Sequence, residues 1–249
     1  MINSLIKRAQ LKYMFSTTSK SASQAMHQSQ EQTLSQKLIL VNYQDDVVGQ
    51  IDKKKAHLNE YIFSQEAKPH RAFSIFLFND KSQLLLQKRS QIKITFPNHW
   101  TNTCCSHPLD QFDERDQHEG TKLAAQRRLD FEFNIKIDKL TDLTLVDKLL
   151  YKSASDKVWG EYELDYIFFM RKNLSEISPN PEEIEEYEWI DLKNLEEFLK
   201  HKESLGQKTT PWFRKIIDNR LSKWWKDYEN GLIKDKRFTN EDNKQIPFF

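Results

Sequence analysis

Residues 159–171, Trp-Gly-Glu-Tyr-Glu-Leu-Asp-Tyr-Ile-Phe-Phe-Met-Arg, constrain the fold more than any other stretch. The part from Tyr166 to Met170 is the densest apolar run of the chain. It has the length of a strand and falls far short of the roughly 20 residues that cross a bilayer, so no membrane span is expected. Glu161 and Glu163 lead into it. Two residues apart on a strand, they project to one side. If that side is buried, each carboxylate needs a metal or a proton; if it is an exposed edge, both are simply solvated.

Other elements interleave with this one. Residues 38–42, 72–78, 84–89, 143–150 and 187–190 read as strands, with turns near 45–49 and at Asn79-Asp80-Lys81. Helical spacing is clearest over 119–133, where Leu123, Ala124, Arg127, Arg128, Phe131 and Glu132 recur. Residues 192–201 and 212–228 read as terminal helices joined by a polar linker at 205–210. The second, with Trp224 and Trp225, is expected to pack on the sheet and cap the site. Residues 95–108 read as irregular. The alternation of strands and helices predicts an α/β sandwich with a mixed sheet.

Charge and cysteine usage exclude some functions. With 38 basic and 37 acidic side chains, the net charge of +1 argues against a nucleic-acid partner. The two cysteines, Cys104 and Cys105, are neighbours and cannot staple a fold, which fits a reducing compartment. The charge is unevenly placed. Residues 1–30 carry no Asp or Glu, but they hold Lys7, Arg8, Lys12, Lys20 and six serines. Ile2, Leu5, Ile6, Ala9 and Tyr13 fall roughly on one helical face. That is the composition of a transit peptide to a mitochondrion or another organelle; the alternative is a disordered extension on a cytoplasmic protein. Residues 1–33 are accordingly set apart from a folded domain over 34–230 and a tail over 231–249. A monomer is expected.

Two further groupings carry chemistry. In Thr-Asn-Thr-Cys-Cys-Ser-His-Pro, 101–108, an extended backbone turns Cys105 and His107 to one side and Cys104 to the other. A thiol beside an imidazole suits acid/base or nucleophilic work, although a free cysteine is also a common small core residue. Arg128 and Glu132 are four apart on a helix and meet on its surface. They form either a simple ion pair or an arginine for phosphate beside a carboxylate for a divalent cation.

Taken together, Lys93-Ile94-Thr95-Phe96-Pro97, Trp100 to Leu109 and Trp159 to Tyr166 closely resemble type I isopentenyl-diphosphate isomerases, of the Nudix-fold superfamily. Pro69 to Phe78, Ala124 to Glu132 and Thr210 to Phe213 match in order and spacing, so the resemblance covers roughly residues 38–228. It implies a Nudix-type α/β/α sandwich that interconverts isopentenyl and dimethylallyl diphosphates, small isoprenyl diphosphate substrates. Position by position, it implies that Cys105 and Glu163 are the acid/base pair, with Tyr151 nearby and Trp212 facing the reacting carbon. Lys53, Arg89, Lys93 and Arg128 would bind the diphosphate. His57, His70, His107, Glu161 and Glu163 would hold a divalent metal, Zn²⁺, Mn²⁺ or Mg²⁺. Glu132 would serve the Mg²⁺ that accompanies the diphosphate.

The rival of the same fold is a Nudix diphosphate hydrolase. Its helix, Arg-Glu-Leu-x-Glu-Glu-x-Gly, reads Arg127-Arg128-Leu129-Asp130-Phe131-Glu132-Phe133-Asn134 here, so two of three glutamates are replaced. A rival of another class is an inactive binding domain, against which the complete set of site residues argues. Asn98 and Asn134 stand where the family pattern has glycine. Asparagine is the next most tolerant residue for left-handed backbone, so both are expected to fill that role.

Overall fold

The computed structural model describes residues 28–243 and 246–249, so the acid-free stretch over 1–27 lies outside the described residues. The strands are β1 (Lys37–Val41), β2 (Val47–Asp52), β3 (His70–Phe78), β4 (Leu84–Arg89) and β5 (His99–Thr101). They continue with β6 (Cys104–Ser106), β7 (Thr144–Ala154), β8 (Gly160–Arg171), β9 (Ile184–Ile190) and β10 (Lys208–Thr209). The helices are α1 (Gln28–Thr33), α2 (Lys53–Ala56), α3 (Asn59–Ile62), α4 (Glu119–Phe133), α5 (Leu195–Ser204), α6 (Pro211–Ile216), α7 (Ser222–Glu229) and α8 (Asn240–Asn243). A π-helical turn, Ile217–Leu221, joins α6 to α7.

β3 is the spine of the sheet and is buried along its whole length. On one flank it runs parallel to β8, from His70 beside Glu163 to Phe78 beside Arg171, and β8 pairs in turn with β7. On the other flank it meets the short β6 and touches β4 only where Phe78 faces Leu84. β4 then pairs with β9 and β5, and β5 with β10. The sheet therefore splits between β3 and β4. Buried backbone groups in such a split need partners. Side chains of the 101–104 loop supply them: Leu77 N donates to Thr103 Oγ1, which donates to Leu85 O at 2.6 Å, and Asn102 Nδ2 donates to Ile75 O.

Alternation along the strands feeds two cores. Leu164, Tyr166, Phe168 and Met170 of β8 join Phe73, Ile75 and Leu77 of β3 under α4, against Ala124, Ala125, Leu129 and Phe133. Ile167 and Phe169 face the other way, with Phe76 and Phe78, under the C-terminal helices, where Phe213, Trp224 and Trp225 pack. The 212–228 segment thus packs on the sheet as expected, as two helices joined by the π turn. The result is an α/β/α sandwich with one parallel pair, β3–β8, at its centre. Burying a side chain the size of Trp225 contributes enough that truncation to alanine costs about 3–5 kcal/mol.

Several boundaries differ from those expected. The 95–108 stretch contains β5 and β6, three residues each and too short to show a period. The supposed linker at 205–210 contains β10. On α4, Phe131 is half exposed, because the buried face runs through Ala125, Leu129 and Phe133 instead. Folded structure also extends beyond both expected domain limits. α1 precedes residue 34, and Lys54 N donates to Leu34 O at 3.0 Å, strapping this end to α2. In the tail, Leu150 N donates to Pro247 O and Phe249 N to Leu150 O, both at 2.7 Å, which covers the open edge of β7. Asn98 (φ 59°) and Asn134 (φ 54°) do adopt the left-handed backbone expected of them.

Candidate active site

The strand register assembles the site. His70 and Glu163 are lateral neighbours on β3 and β8, Ser74 faces Cys105 across β3–β6, and Tyr151 on β7 faces Glu163. Because parity is shared, Glu161, Glu163 and Asp165 lie on one face of β8. His57 follows α2 and is brought in by Gly160, whose N–H donates to His57 O at 2.8 Å. A Cβ at Gly160 would lie 2.6 Å from Ser153 O and from Ile62 Cδ1, so only glycine permits this approach.

His57, His70, His107, Glu161 and Glu163 bring one ligand atom each to within 4.8 Å of one another. The three rings lie 4.7–5.0 Å apart between centroids. Both carboxylates are therefore inside, which removes the solvated-edge alternative for this strand. His57 Nδ1 lies 2.7 Å from Lys53 O, a carbonyl that can only accept, so Nδ1 carries the proton. Its Nε2 then turns toward Glu161 Oε2 at 2.9 Å, an arrangement that needs a proton or a cation between them. Both nitrogens of His70, His107 Nδ1 and Glu161 Oε2 are buried without a hydrogen-bond partner. Three imidazoles, two carboxylates and orphaned lone pairs fit a divalent metal ion. Burial holds His70 down to about 3, and it likewise holds His107 well below the usual range, so both rings stay neutral and free to ligate. Burial pushes Glu161 up, but His57 and its hydrogen bond outweigh that and bring it to about 2. Burial and the neighbouring Glu161 raise Glu163 well above the usual range. His107 Nε2 lies 2.8 Å from Glu163 Oε1, a contact that needs one shared proton.

Cys105 opens onto the same small pocket, while Cys104 is turned into the core, as strand parity predicts. Burial pushes the Cys105 thiol up to about 12, so it carries its proton. Sγ lies 3.1 Å from Asn102 Oδ1 and 3.4 Å from Ser74 Oγ, and Ser74 donates to Asp165 at 2.8 Å. Trp212 forms an apolar wall. Its ring meets Tyr151 at 5.6 Å and Phe96 at 5.3 Å, both edge-on. Phe96 holds a left-handed backbone (φ 47°), pinned by its N–H to Ser155 Oγ and by Arg89 on its carbonyl. Strain of this kind persists only where the surroundings over-determine it.

Lys53, Arg89, Lys93 and Arg128 line the same pocket, with the Arg89 guanidinium 5.8 Å from the Trp212 ring centre. Burial, then Lys93 and Arg128, pull the Lys53 amine down to about 7. Arg89 is partly spent on the 95–96 loop, donating to Thr95 O at 2.8 Å and to Phe96 O at 3.1 Å. Arg128 donates to Glu132 at 2.7 Å, so this i,i+4 pair is buried rather than on the surface. Glu132 and Tyr151 do not line the pocket; Glu132 stands behind Arg128 and Tyr151 behind Trp212.

Four contributors are not marked in the sequence. Glu183 is buried and accepts from Arg128 at 3.1 Å and from Lys93 by a short contact. Burial pushes its carboxyl up, but those cations hold it at about 2. Gln30 and Leu34 close the pocket from α1 and the residue just after it. Asn102 lies beneath Cys105 and Trp212.

The NUDIX domain family matches residues 68–213, more than half of the chain. Isopentenyl-diphosphate Delta-isomerase 1 of Mesocricetus auratus is 43% identical over 204 residues, covering 80% of this chain and 88% of that protein. Isopentenyl-diphosphate Delta-isomerase I of Clarkia breweri is 45% identical over 203 residues, covering 79% and 70%. A solved protein from Deinococcus radiodurans superposes with a TM-score of 0.49 at 21% identity, over 73% of this chain and 97% of that one. The chain is an isomerase of the NUDIX domain family and belongs to the isopentenyl-diphosphate Delta-isomerases.

Proposed function

We propose that this chain moves the double bond of isopentenyl diphosphate by a 1,3-allylic proton shift, with Cys105 and Glu163 as the proton-transfer pair. The observation that carries this is their placement on opposite flanks of β3, both lining one pocket. One group delivers a proton to C4 and the other removes one from C2, so the proton count balances. The intermediate is a tertiary cation at C3, faced by the Trp212 indole. An indole contributes about 2 kcal/mol to a desolvated cation, so positioning and exclusion of water must supply more.

Lys53, Arg89, Lys93 and Arg128 hold the diphosphate, and Glu132, paired with Arg128, would serve the Mg²⁺ that accompanies it. His57, His70, His107, Glu161 and Glu163 hold the second ion, Zn²⁺, Mn²⁺ or Mg²⁺. When bound, such an ion would withdraw charge from Glu163, which would then be a better acid. Tyr151, buried against Trp212, keeps the acidic end of the pocket closed. The substitution of Arg128 for a helix glutamate supports holding a diphosphate over cutting one. The acid-free N-terminus supports delivery to an organelle, which a reporter fused behind residues 1–33 tests by fractionation. The expected state is a monomer, and sedimentation of the purified protein checks it.

The deciding experiment is proton NMR of the full chain with isopentenyl diphosphate and Mg²⁺ in D₂O. Deuterium entering a methyl group of dimethylallyl diphosphate is expected. Free phosphate without isomer would instead mean hydrolysis, and bound but unchanged substrate would mean a binding protein.

A further inference from the structure

Asn102 is fully buried. Its amide nitrogen donates to Ile75 O at 3.1 Å and to Cys104 O at 3.3 Å. Both partners are carbonyls and can only accept, so the amide cannot be turned round without setting oxygen against oxygen. The direction of Oδ1 is thereby fixed. Three groups converge on it: Cys105 Sγ at 3.1 Å, Trp212 Nε1 at 3.2 Å and Thr101 Oγ1 at 3.0 Å. An indole nitrogen only donates. Thr101 Oγ1 already accepts from Thr210 Oγ1 at 2.8 Å, which leaves its own proton for Asn102. The other neighbour of Cys105, Ser74, has its proton committed to Asp165. The Trp212 and Thr101 protons are thus aimed at that one atom, and it is the nearer of the two acceptors of the Cys105 thiol, with Ser74 Oγ at 3.4 Å.

We propose that Asn102 is a positioning residue for the isomerisation, its Oδ1 tying the Cys105 thiol and the Trp212 indole to a single fixed point. This rests on the roles given above to Cys105 and Trp212. The two come from β6 and α6, more than 100 residues apart, and a displacement of about 1 Å at a reacting group costs about 100-fold in rate. A shared acceptor removes that freedom. Its own nitrogen is bolted to β3 and β6, so the tether is referred to the rigid sheet.

The test is kinetic and spectroscopic. Asn102→Ala is expected to lower kcat by about 100-fold and to leave KM for isopentenyl diphosphate within about 3-fold, because the basic residues of the pocket are untouched. Trp212→Phe removes the indole N–H and keeps a ring. It is expected to cost about 10-fold alone and clearly less in the Asn102→Ala background, where the tether is already gone and only the weaker cation–ring contact is lost. Additive losses, or a raised KM with kcat retained, would overturn the proposal. If Asn102→Ala does not fold, infrared difference spectra of the native protein against Cys105→Ser isolate the Cys105 S–H stretch. A band below the free-thiol position is expected, and one at that position overturns the proposal. Full activity in Cys105→Ala would instead remove the assigned role of the thiol, an outcome separate from the infrared result.

Discussion

Two clusters of buried charge sit on opposite faces of β8, and they are finished differently. Around Asp45, in the β1–β2 turn, Arg71 donates through Nε at 2.9 Å, Lys148 donates at 2.8 Å, and the Tyr166 hydroxyl makes a short contact. Lys148 also reaches Asn243 at 3.1 Å. No polar side-chain atom of that quartet is left without a partner. The other face holds the histidines, Glu161, Glu163, Asp165 and Tyr151. Of the eight buried side-chain atoms without a partner among the described residues, six belong to this side. A closed network costs nothing further to keep, whereas an open one is stable only if something else completes it. The difference separates a cluster that holds the fold together from one arranged to receive ions and a substrate.

Exchanging the insults between the two clusters can break this comparison. The largest effect is expected from Glu163→Gln: activity falls by about 1,000-fold or more, the range of a lost general acid/base, while the thermal midpoint of the metal-stripped protein hardly moves. The mirror experiment is Asp45→Asn, which strands Lys148 and Arg71. It should cost about 3–5 kcal/mol in urea unfolding and leave kcat of the folded fraction near native. A large loss of kcat there would make the Asp45 cluster part of the catalytic machinery and erase the contrast.

Metal removal sharpens the comparison. Chelation followed by dialysis should lower the thermal midpoint, and adding back a divalent ion at 100 times its dissociation constant should restore about 2.7 kcal/mol. His70→Ala should abolish that response, and Asp45→Asn should keep it. The smallest effect concerns protons. In the metal-stripped protein, burial holds His70 at about 3 against 6.5 unfolded, so the unfolded chain binds more protons between those values. Stability is therefore full above pH 6.5 and falls as the pH drops toward 3. By pH 5 the loss is about 2 kcal/mol for this one imidazole, readable in urea titrations at a series of pH values. A flat profile would mean that His70 is charged when folded, and hence no ready ligand.

What the sequence discloses here is parity. It is enough to turn Cys105 toward His107 and to set Glu161 and Glu163 on one face, while the left-handed turns at Asn98 and Asn134 come from what the family resemblance implies. Gly160 sits inside the Trp-Gly-Glu string, but only the fold shows that its missing side chain lets the His57 segment approach. What parity cannot disclose is partnership across the chain. Glu183 stands among other acids, Glu182, Glu185 and Glu186, and nothing local singles it out; only the fold sets it between Lys93 and Arg128. Asn102 reads as a loop polar residue until the split between β3 and β4 gives its nitrogen two carbonyls. β5, β6 and β10 are two or three residues long, below the length at which a period exists. Gln30 lies at the end of a stretch whose composition suggests an address rather than a wall.

That wall bears on the identity of the product. Gln30, only 5% exposed, and Leu34 close one side of the pocket in which the proposed cation forms. A tertiary cation met by water becomes an alcohol. A chain shortened to begin at residue 34 would lose Gln30 and α1 while keeping every acid, base and ligand of the site. Such a protein would still protonate its substrate, and part of its output would be the hydrated five-carbon diphosphate. On the proposed chemistry, α1 would thereby bear on which compound leaves the pocket, although neither Cys105 nor Glu163 lies on it.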